Sequence, residues 1–325
     1  MKLASFRADG RDRIGLDDGN MHLVDITEAL AAASPPNAAP RNVVEIIEMG
    51  DAGLELLRRA EKEGQGKRYA AAQVEWQPPV RRPSKLCCIA LNNSANAERI
   101  MSGPKHPAMF IKPSSSLIGH NGAIVCRPEY GRVHPEPELA VVIGKEAKDI
   151  TAERAYDYVF GYTILNDITS PTMRVEDTFH YRSIHPKAGA SMEIEYVDTW
   201  TSYPGRYKGC DTFSCLGPWI VTRDEIPEPH RLGVQCHHQG RLVTEDTTEN
   251  LFFKTPEVLA FLSRYVTLWP GDIVALGTAL KKSAAGGAVQ NVDLNKLGGP
   301  VSVSIEKIGT LSNSVVNRPY AGQVP

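Results

Sequence analysis

Two carboxylates stand one residue apart at the mouth of an apolar run, and no other feature constrains this chain as much. The stretch reads His134-Pro135-Glu136-Pro137-Glu138, then Leu139 to Ile143 without a polar residue, then Gly144. Alternate side chains of a strand share a face. Glu136 and Glu138 therefore reach into one space while the run behind them enters a core. A second run, Tyr162-Thr163-Ile164-Leu165, ends in Asn166-Asp167. If the two runs end side by side, three carboxylates meet. Bare anions that close repel one another and partly protonate. A hard divalent cation removes the conflict, and oxygen ligands suit magnesium, with manganese or calcium as alternatives.

Glu-x-Glu alone is a weak motif, and the chain repeats it twice elsewhere. Glu61-Lys62-Glu63 lies in a charged helical stretch and reads as a solvated face. Glu193-Ile194-Glu195 alternates with Met192 and Tyr196, as a half-exposed strand does. Composition narrows the classes. The 325 residues are 42% hydrophobic and 23% charged, as in an ordinary globular protein. A net charge of -2 gives no ground for a nucleic-acid or anionic-membrane partner. No apolar run approaches the length of a bilayer span, and the first residues, Met1 to Arg7, form no signal-peptide core; a cytoplasmic location is expected. The cysteines Cys87, Cys88, Cys126, Cys210, Cys215 and Cys236 show no zinc-site spacing. Cys236-His237-His238 cannot turn three adjacent strand side chains toward one ion.

Along the chain, residues 1–78 read as a small N-terminal α/β module. Strand-like pieces at Leu3 to Phe6, Arg13 to Leu16 and His22 to Asp25 are separated by Asp-Gly turns. Helical patterns follow at Val43 to Met49 and Ala52 to Glu63, the second with Asp51 and Gly64 as expected caps. The proline-rich stretch Trp76 to Pro83 reads as a linker. The main domain, 79–325, opens with a buried strand at Lys85 to Leu91. Residues 171–206 lack strong periodicity and are expected to form a lid or insertion, with Gly189 as a hinge. Thr255-Pro256-Glu257 reads as a helix start. Short strands with few helices point to a mainly β, α+β chain and not to a doubly wound parallel sheet.

The ordered motifs resemble the fumarylacetoacetate hydrolase family over roughly residues 80–318. Phe110 to Ser114 resembles its Lys-Pro strand, Glu136 to Lys145 its Glu-x-Glu-Leu strand, and Gly161 to Thr169 its Asn-Asp-x-Thr signature. Lys208 to Phe213 and Leu216 to Trp219 resemble its Lys-x-x-Asp and Leu-Gly-Pro-Trp block; Pro270-Gly271-Asp272 and Gly277-Thr278 follow in family order. The resemblance implies a mixed β-roll core, homodimers, and a divalent metal on Glu136, Glu138 and Asp167. It also implies a small-molecule oxo-acid substrate with a 1,3-dicarbonyl or enol unit. Lys208 can place positive charge where an oxyanion develops. Lys112, Asp211 and the backbone at Gly277-Thr278 are expected to bind substrate.

The chain departs from the family at one functional segment. Many hydrolytic members carry a tyrosine and a water-activating His-x-x-Glu dyad where this chain has Asn93, Asn96 and Arg99. Asparagine cannot shuttle a proton near neutral pH. Glu98, His180 and His185 are the local alternatives for a general base. The stretch Gly277-Thr278-Ala279-Leu280-Lys281-Lys282 lacks the Pro and Gly that the family usually has after the threonine, and Lys281 and Lys282 are either solvated charge or contacts for an acidic substrate. Arginine is missing beyond Thr169. The expected activity is metal-dependent hydrolysis of a C–C bond in an acylpyruvate-type oxo-acid of small-molecule catabolism. A decarboxylase, a keto–enol isomerase, or a catalytically silent binding protein on the same scaffold stay open.

Overall fold

The computed structural model describes residues 1–35, 38–278 and 288–319, apart from the side chains of Arg99 and Ser191. Lys281 and Lys282 lie outside these. The N-terminal part contains β1 (Lys2–Ala8), β2 (Arg11–Asp17), β3 (His22–Asp25), α1 (Thr27–Ala33), α2 (Val43–Glu48), α3 (Asp51–Glu63), β4 (Arg68–Ala70) and β5 (Glu75–Gln77). The expected strands and helices fall inside these bounds, except that α2 ends at Glu48 with Met49 as its C-cap. Asn42 caps α2 through the Glu45 amide, and Gly64 ends α3 in the left-handed conformation. Gly50, not Asp51, is the N-cap of α3.

Then come β6 (Leu86–Ala90), β7 (Ala108–Lys112), β8 (Leu117–Ile118), β9 (Ala123–Cys126), β10 (Pro137–Ile143) and β11 (Val159–Asp167). The short helix α4 (Pro171–Glu176), β12 (Thr178–Lys187), β13 (Ala190–Ser202) and α5 (Gly205–Gly209) occupy the 171–206 segment. The chain continues through β14 (Ser214–Thr222), β15 (Gly233–His238), β16 (Arg241–Thr247), α6 (Thr255–Tyr265), β17 (Ile273–Ala275), α7 (Leu294–Leu297), β18 (Val301–Ile305) and β19 (Gly309–Asn317). Helix α6 begins one residue earlier than its sequence signal, with Lys254 at the cap.

The large sheet runs β4-β3-β2-β1-β14-β11-β10-β17-β6-β7, with β5 on β1 and β8 on β14. A second sheet, β16-β15-β18-β19-β9, faces it. Strand β10 explains why no polar residue interrupts Leu139 to Ile143. Leu139, Val141 and Ile143 pack toward the second sheet with Val234, Val303 and Leu311. Ala140 and Val142 pack the other way, onto Ile46, Ile47 and Leu57 of α2 and α3. A strand buried on both faces has no polar side to show.

Two expectations change. Part of the stretch read as a linker is a strand: β5 pairs with β1, and β1 also pairs with β14, so the N-terminal strands continue the main sheet. A single strand there needs only one free edge, which prolines beyond Gln77 leave intact. The 171–206 segment is not irregular. It forms an unbroken antiparallel ribbon from Thr178↔Ser202 to Pro186↔Ile194, turning near Gly189. Its period is hidden because both faces mix aromatic and polar residues. Among the described residues no helix is long and apolar enough to cross a membrane.

Candidate active site

Strands β10 and β11 run antiparallel with Pro137 opposite Asn166 and Glu138 opposite Leu165. That register sets Glu136 against Asp167, and the Asp167 amide donates to the Glu136 carbonyl at 2.9 Å. The Asn166 side chain accepts the Glu136 amide at 3.0 Å. Glu136, Glu138 and Asp167 share the sheet face of Ala140, Val142 and Leu165, at the end where the apolar core stops. One ligand oxygen from each lies within 4.8 Å of the others, and all three side chains are buried.

Two lysines stand against these three acids. Lys112, from the end of β7, donates to Asp167 and to the Phe213 carbonyl at 2.7 Å. Lys208, from α5, donates to Glu136 at 2.7 Å and to Asp167 at 2.5 Å, with its ammonium 5.3 Å above the Phe110 ring. Both are buried. Burial favours the neutral form of each group, and the neighbours then decide. Burial pushes the Asp167 carboxyl up, but Lys112 and Lys208 together hold it below its usual value. Burial opposes charge on Lys208, yet Asp167, Glu136 and Glu138 outweigh it and raise its pKa. Glu138 has the opposite balance: burial first, then Asp167 and Glu136, lift it well above the ordinary carboxylate range.

Fully ionised, three carboxylates and two ammonium groups would carry one net negative charge in a buried space, and Glu138, whose pKa is raised, is the acid that a proton or a cation neutralises. This donor set fits a divalent cation: it is all oxygen, buried, converging and short of positive charge. Its chemistry does not choose among magnesium, manganese and calcium.

Several expected site residues have other surroundings. Lys208 is directed at the carboxylates themselves, and Lys112 is an ion-pair partner of Asp167. The Gly277 amide donates to the Glu138 carboxylate at 3.0 Å and so is not free for a substrate carboxylate. Its φ of +94°, and an Ile89 carbonyl only 2.9 Å from where a Cβ would stand, require glycine there. Thr278 is buried beside it, and its carbonyl accepts from the Asn96 amide at 3.3 Å. Glu98 is exposed on a 3-10 turn, Ser94–Arg99, and is a surface acid. Asp211 is also exposed, in the turn before β14, beside a cavity with Arg127 and Arg206. His180 stacks on Trp200 at 4.0 Å, and His185 bonds the Ser183 hydroxyl at 2.8 Å. Both lie on the exposed ribbon, which carries them away from the acids of their own chain.

One residue of the centre was not singled out. His134 is buried, with Nε2 3.9 Å from Glu136. The signal was present: His134, Glu136 and Glu138 alternate along one extended segment, and His134 bridges to Thr169 as Glu136 faces Asp167. Burial lowers the imidazole pKa more than Glu136 raises it, so the ring is neutral at pH 7. Its Nδ1 lies 3.1 Å from the Pro135 carbonyl. A carbonyl only accepts, so Nδ1 bears the hydrogen and Nε2 keeps its lone pair.

The sequence matches the fumarylacetoacetate hydrolase C-terminal family over residues 85–316. A mitochondrial oxaloacetate tautomerase of Rattus norvegicus is 34% identical over 280 residues, covering 86% of this chain and 81% of the relative. The maleylpyruvate hydrolase of Sphingobium sp. SYK-6 superposes with a TM-score of 0.72 at 28% identity, over 98% of this chain and 100% of its own. That hydrolase has also been solved with manganese(II) and pyruvate, with a TM-score of 0.70, 28% identity, and coverage of 98% and 99%. This chain belongs to the fumarylacetoacetate hydrolase family, and its mainly β architecture is the fold of these relatives.

Proposed function

We propose that the chain is a metal-dependent keto–enol tautomerase of a β-oxo dicarboxylic acid of the oxaloacetate type. One observation carries the reading. Two ammonium groups and a neutral imidazole converge on three carboxylates, while the positions of a water-activating dyad hold Asn96 and Arg99, with Glu98 turned to solvent. Tautomerisation moves a proton from carbon to the neighbouring carbonyl oxygen and needs no attacking water. The rat relative, by its name, performs that reaction on oxaloacetate.

The residues divide the work. Glu136, Glu138 and Asp167 would hold magnesium or manganese, which supplies Lewis-acid polarisation of the carbonyl when bound. Lys208 keeps its proton and therefore acts as a fixed donor toward the developing oxyanion, not as a base. Lys112 holds Asp167 ionised and oriented. His134 accepts the carbon-bound proton at Nε2 and returns it to oxygen, leaving the imidazole unchanged over the cycle.

The test follows the ultraviolet absorbance of the oxaloacetate enol as it relaxes to the ketone, with magnesium and with manganese. Faster relaxation than in the metal-containing buffer alone is expected. Relaxation at the buffer rate with both ions sinks the reading. Hydrolysis is the second reading, favoured by the likeness to the maleylpyruvate hydrolase. It predicts two organic acids from an acylpyruvate, and release of carbon dioxide alone identifies a decarboxylase.

A further inference from the structure

We propose that Asp246, on the second sheet, is a positioning residue of the acid centre: through Asn93 it clamps residues 92–96 onto 276–278 and so fixes the Gly277 amide on Glu138. The proposal rests on the metal reading above and is independent of the reaction. Three asparagines hold the segment that follows β6, and all three are buried. Asn92 donates to the Leu276 carbonyl and to the Phe253 carbonyl, both at 2.9 Å, and accepts the Phe253 amide at 2.8 Å. Asn96 donates to the Thr278 carbonyl. The Leu276 and Thr278 carbonyls flank Gly277, whose amide reaches the Glu138 carboxylate. One short segment thus grips both neighbours of the residue that orients an acid of the centre.

Asn93 fixes that segment to the second sheet. Its Oδ1 accepts the Ala95 amide at 2.9 Å, its carbonyl accepts the Asn96 amide at 2.8 Å, and its Nδ2 donates to Asp246 at 2.7 Å. The other Asp246 oxygen accepts from Asn250 Nδ2 at 2.6 Å. Asn93, Asp246, Gly277 and Thr278 line one narrow cavity between the sheets. A missing donor would leave an oxygen of the half-buried Asp246 unpaired, so Asn93 cannot turn away without cost. A carboxylate only accepts, so Asp246 also settles which end of the Asn93 amide faces Ala95. The clamp therefore has one polarity.

That polarity gives the test. Asp246→Asn sets an amide donor against Asn93 or Asn250, and Asn93→Asp sets carboxylate against carboxylate. The swapped pair, Asn93→Asp with Asp246→Asn, reverses the donor and satisfies the Ala95 and Asn250 contacts again. Electron paramagnetic resonance of the free ion reads manganese affinity and needs no turnover. Each single variant should bind manganese about 10-fold more weakly while keeping the circular dichroism of the parent, and the swapped pair should regain the parent affinity. Coupling is reciprocal, so manganese should slow hydrogen exchange at the Ala95 and Asn96 amides of the parent by a similar factor. Single variants as tight as the parent, a swapped pair no tighter than they are, or exchange indifferent to manganese would each overturn the proposal. If a single variant fails to fold, the exchange of the parent decides. A parent that binds manganese but leaves the oxaloacetate enol at the buffer rate loses the tautomerase reading alone; one that binds no manganese loses the metal reading and this proposal together.

Discussion

Glu138→Gln should make the metal-free protein more stable and the metal-loaded protein inactive. The amide keeps the shape of the side chain and an oxygen for the Gly277 amide, now 3.0 Å away, but removes one charge. The ligand oxygens lie within 4.8 Å of one another. At that separation and an effective dielectric near 20, a like-charge pair costs about 3.5 kcal/mol. Glu138 faces two carboxylates and is opposed by Lys208, so about one such repulsion stands uncompensated. Its raised pKa shows that a proton relieves part of the cost, which leaves a gain of about 1–3 kcal/mol at pH 8. For a chain of this size, with an unfolding entropy of about 0.7 kcal/mol/K, that lifts the melting midpoint by roughly 1.5–4.5 °C. Manganese acts in the opposite sense. At a hundred times Kd it adds about 2.7 kcal/mol to the parent and little to the variant, which lacks one carboxylate ligand. Melts by circular dichroism, first with EDTA and then with excess manganese, read both effects. A metal-free variant that melts below the parent, or an equal manganese shift in both proteins, refutes the charge argument.

Other perturbations separate the remaining roles. His134→Gln should lower turnover about 10²- to 10⁴-fold while the manganese-induced rise in melting midpoint stays as in the parent; unchanged turnover would remove His134 from the proposal. The stability of the metal-free protein should fall at both ends of the pH range. Asp167 titrates below its usual 3.8, so its contribution is complete above that pH and is lost as pH falls through the folded value. Lys208 titrates above its usual 10.5, so its contribution is complete below that pH and is lost as pH rises through the folded value. Urea denaturation across pH reads both limbs, and Asp167→Asn should flatten the acid one while costing about 3–5 kcal/mol by stranding Lys112. Gly161→Ala should destabilise by about 1–3 kcal/mol or more, because a Cβ there would lie 2.2 Å from the Val221 carbonyl. A urea midpoint equal to the parent's would show that β11 and β14 can part at no cost.

Much of the centre was legible because strand geometry is simple. A two-residue period places Glu136 and Glu138 on one face, and an apolar run ending in Asn-Asp marks where a core strand reaches its rim. The same period reaches back to His134, where the prolines between hide the strand pattern. Lys208 was singled out through its motif, but its partners were not. Nothing local in Lys208-Gly209-Cys210 says that α5 brings its ammonium to 2.7 Å from a glutamate 72 residues earlier. Lys112 was named as a substrate contact for the same reason. Its pairing with Asp167 depends on β7 reaching the sheet through β6 and β17. Glu98, His180 and His185 lie at the surface of their own chain, because nearness in sequence to a site residue says nothing of direction. A 3-10 turn sends Glu98 outward, and the ribbon carries both histidines away from the core of their own chain.

The amino-acid order alone determined that the chain is a mainly β protein of this family with three acids at strand ends. Apolar runs, turn residues and the spacing of ordered motifs are local or near-local signals. The tertiary structure alone decided the charge balance of the centre. Two lysines from distant elements neutralise two of the three acids, and Gly277 gives its amide to the third. That balance sets which groups hold protons, and it exists only once β7, β10, β11, α5 and the segment after β17 are packed together. Burial is what gives it force: the same five charges in water would barely sense one another.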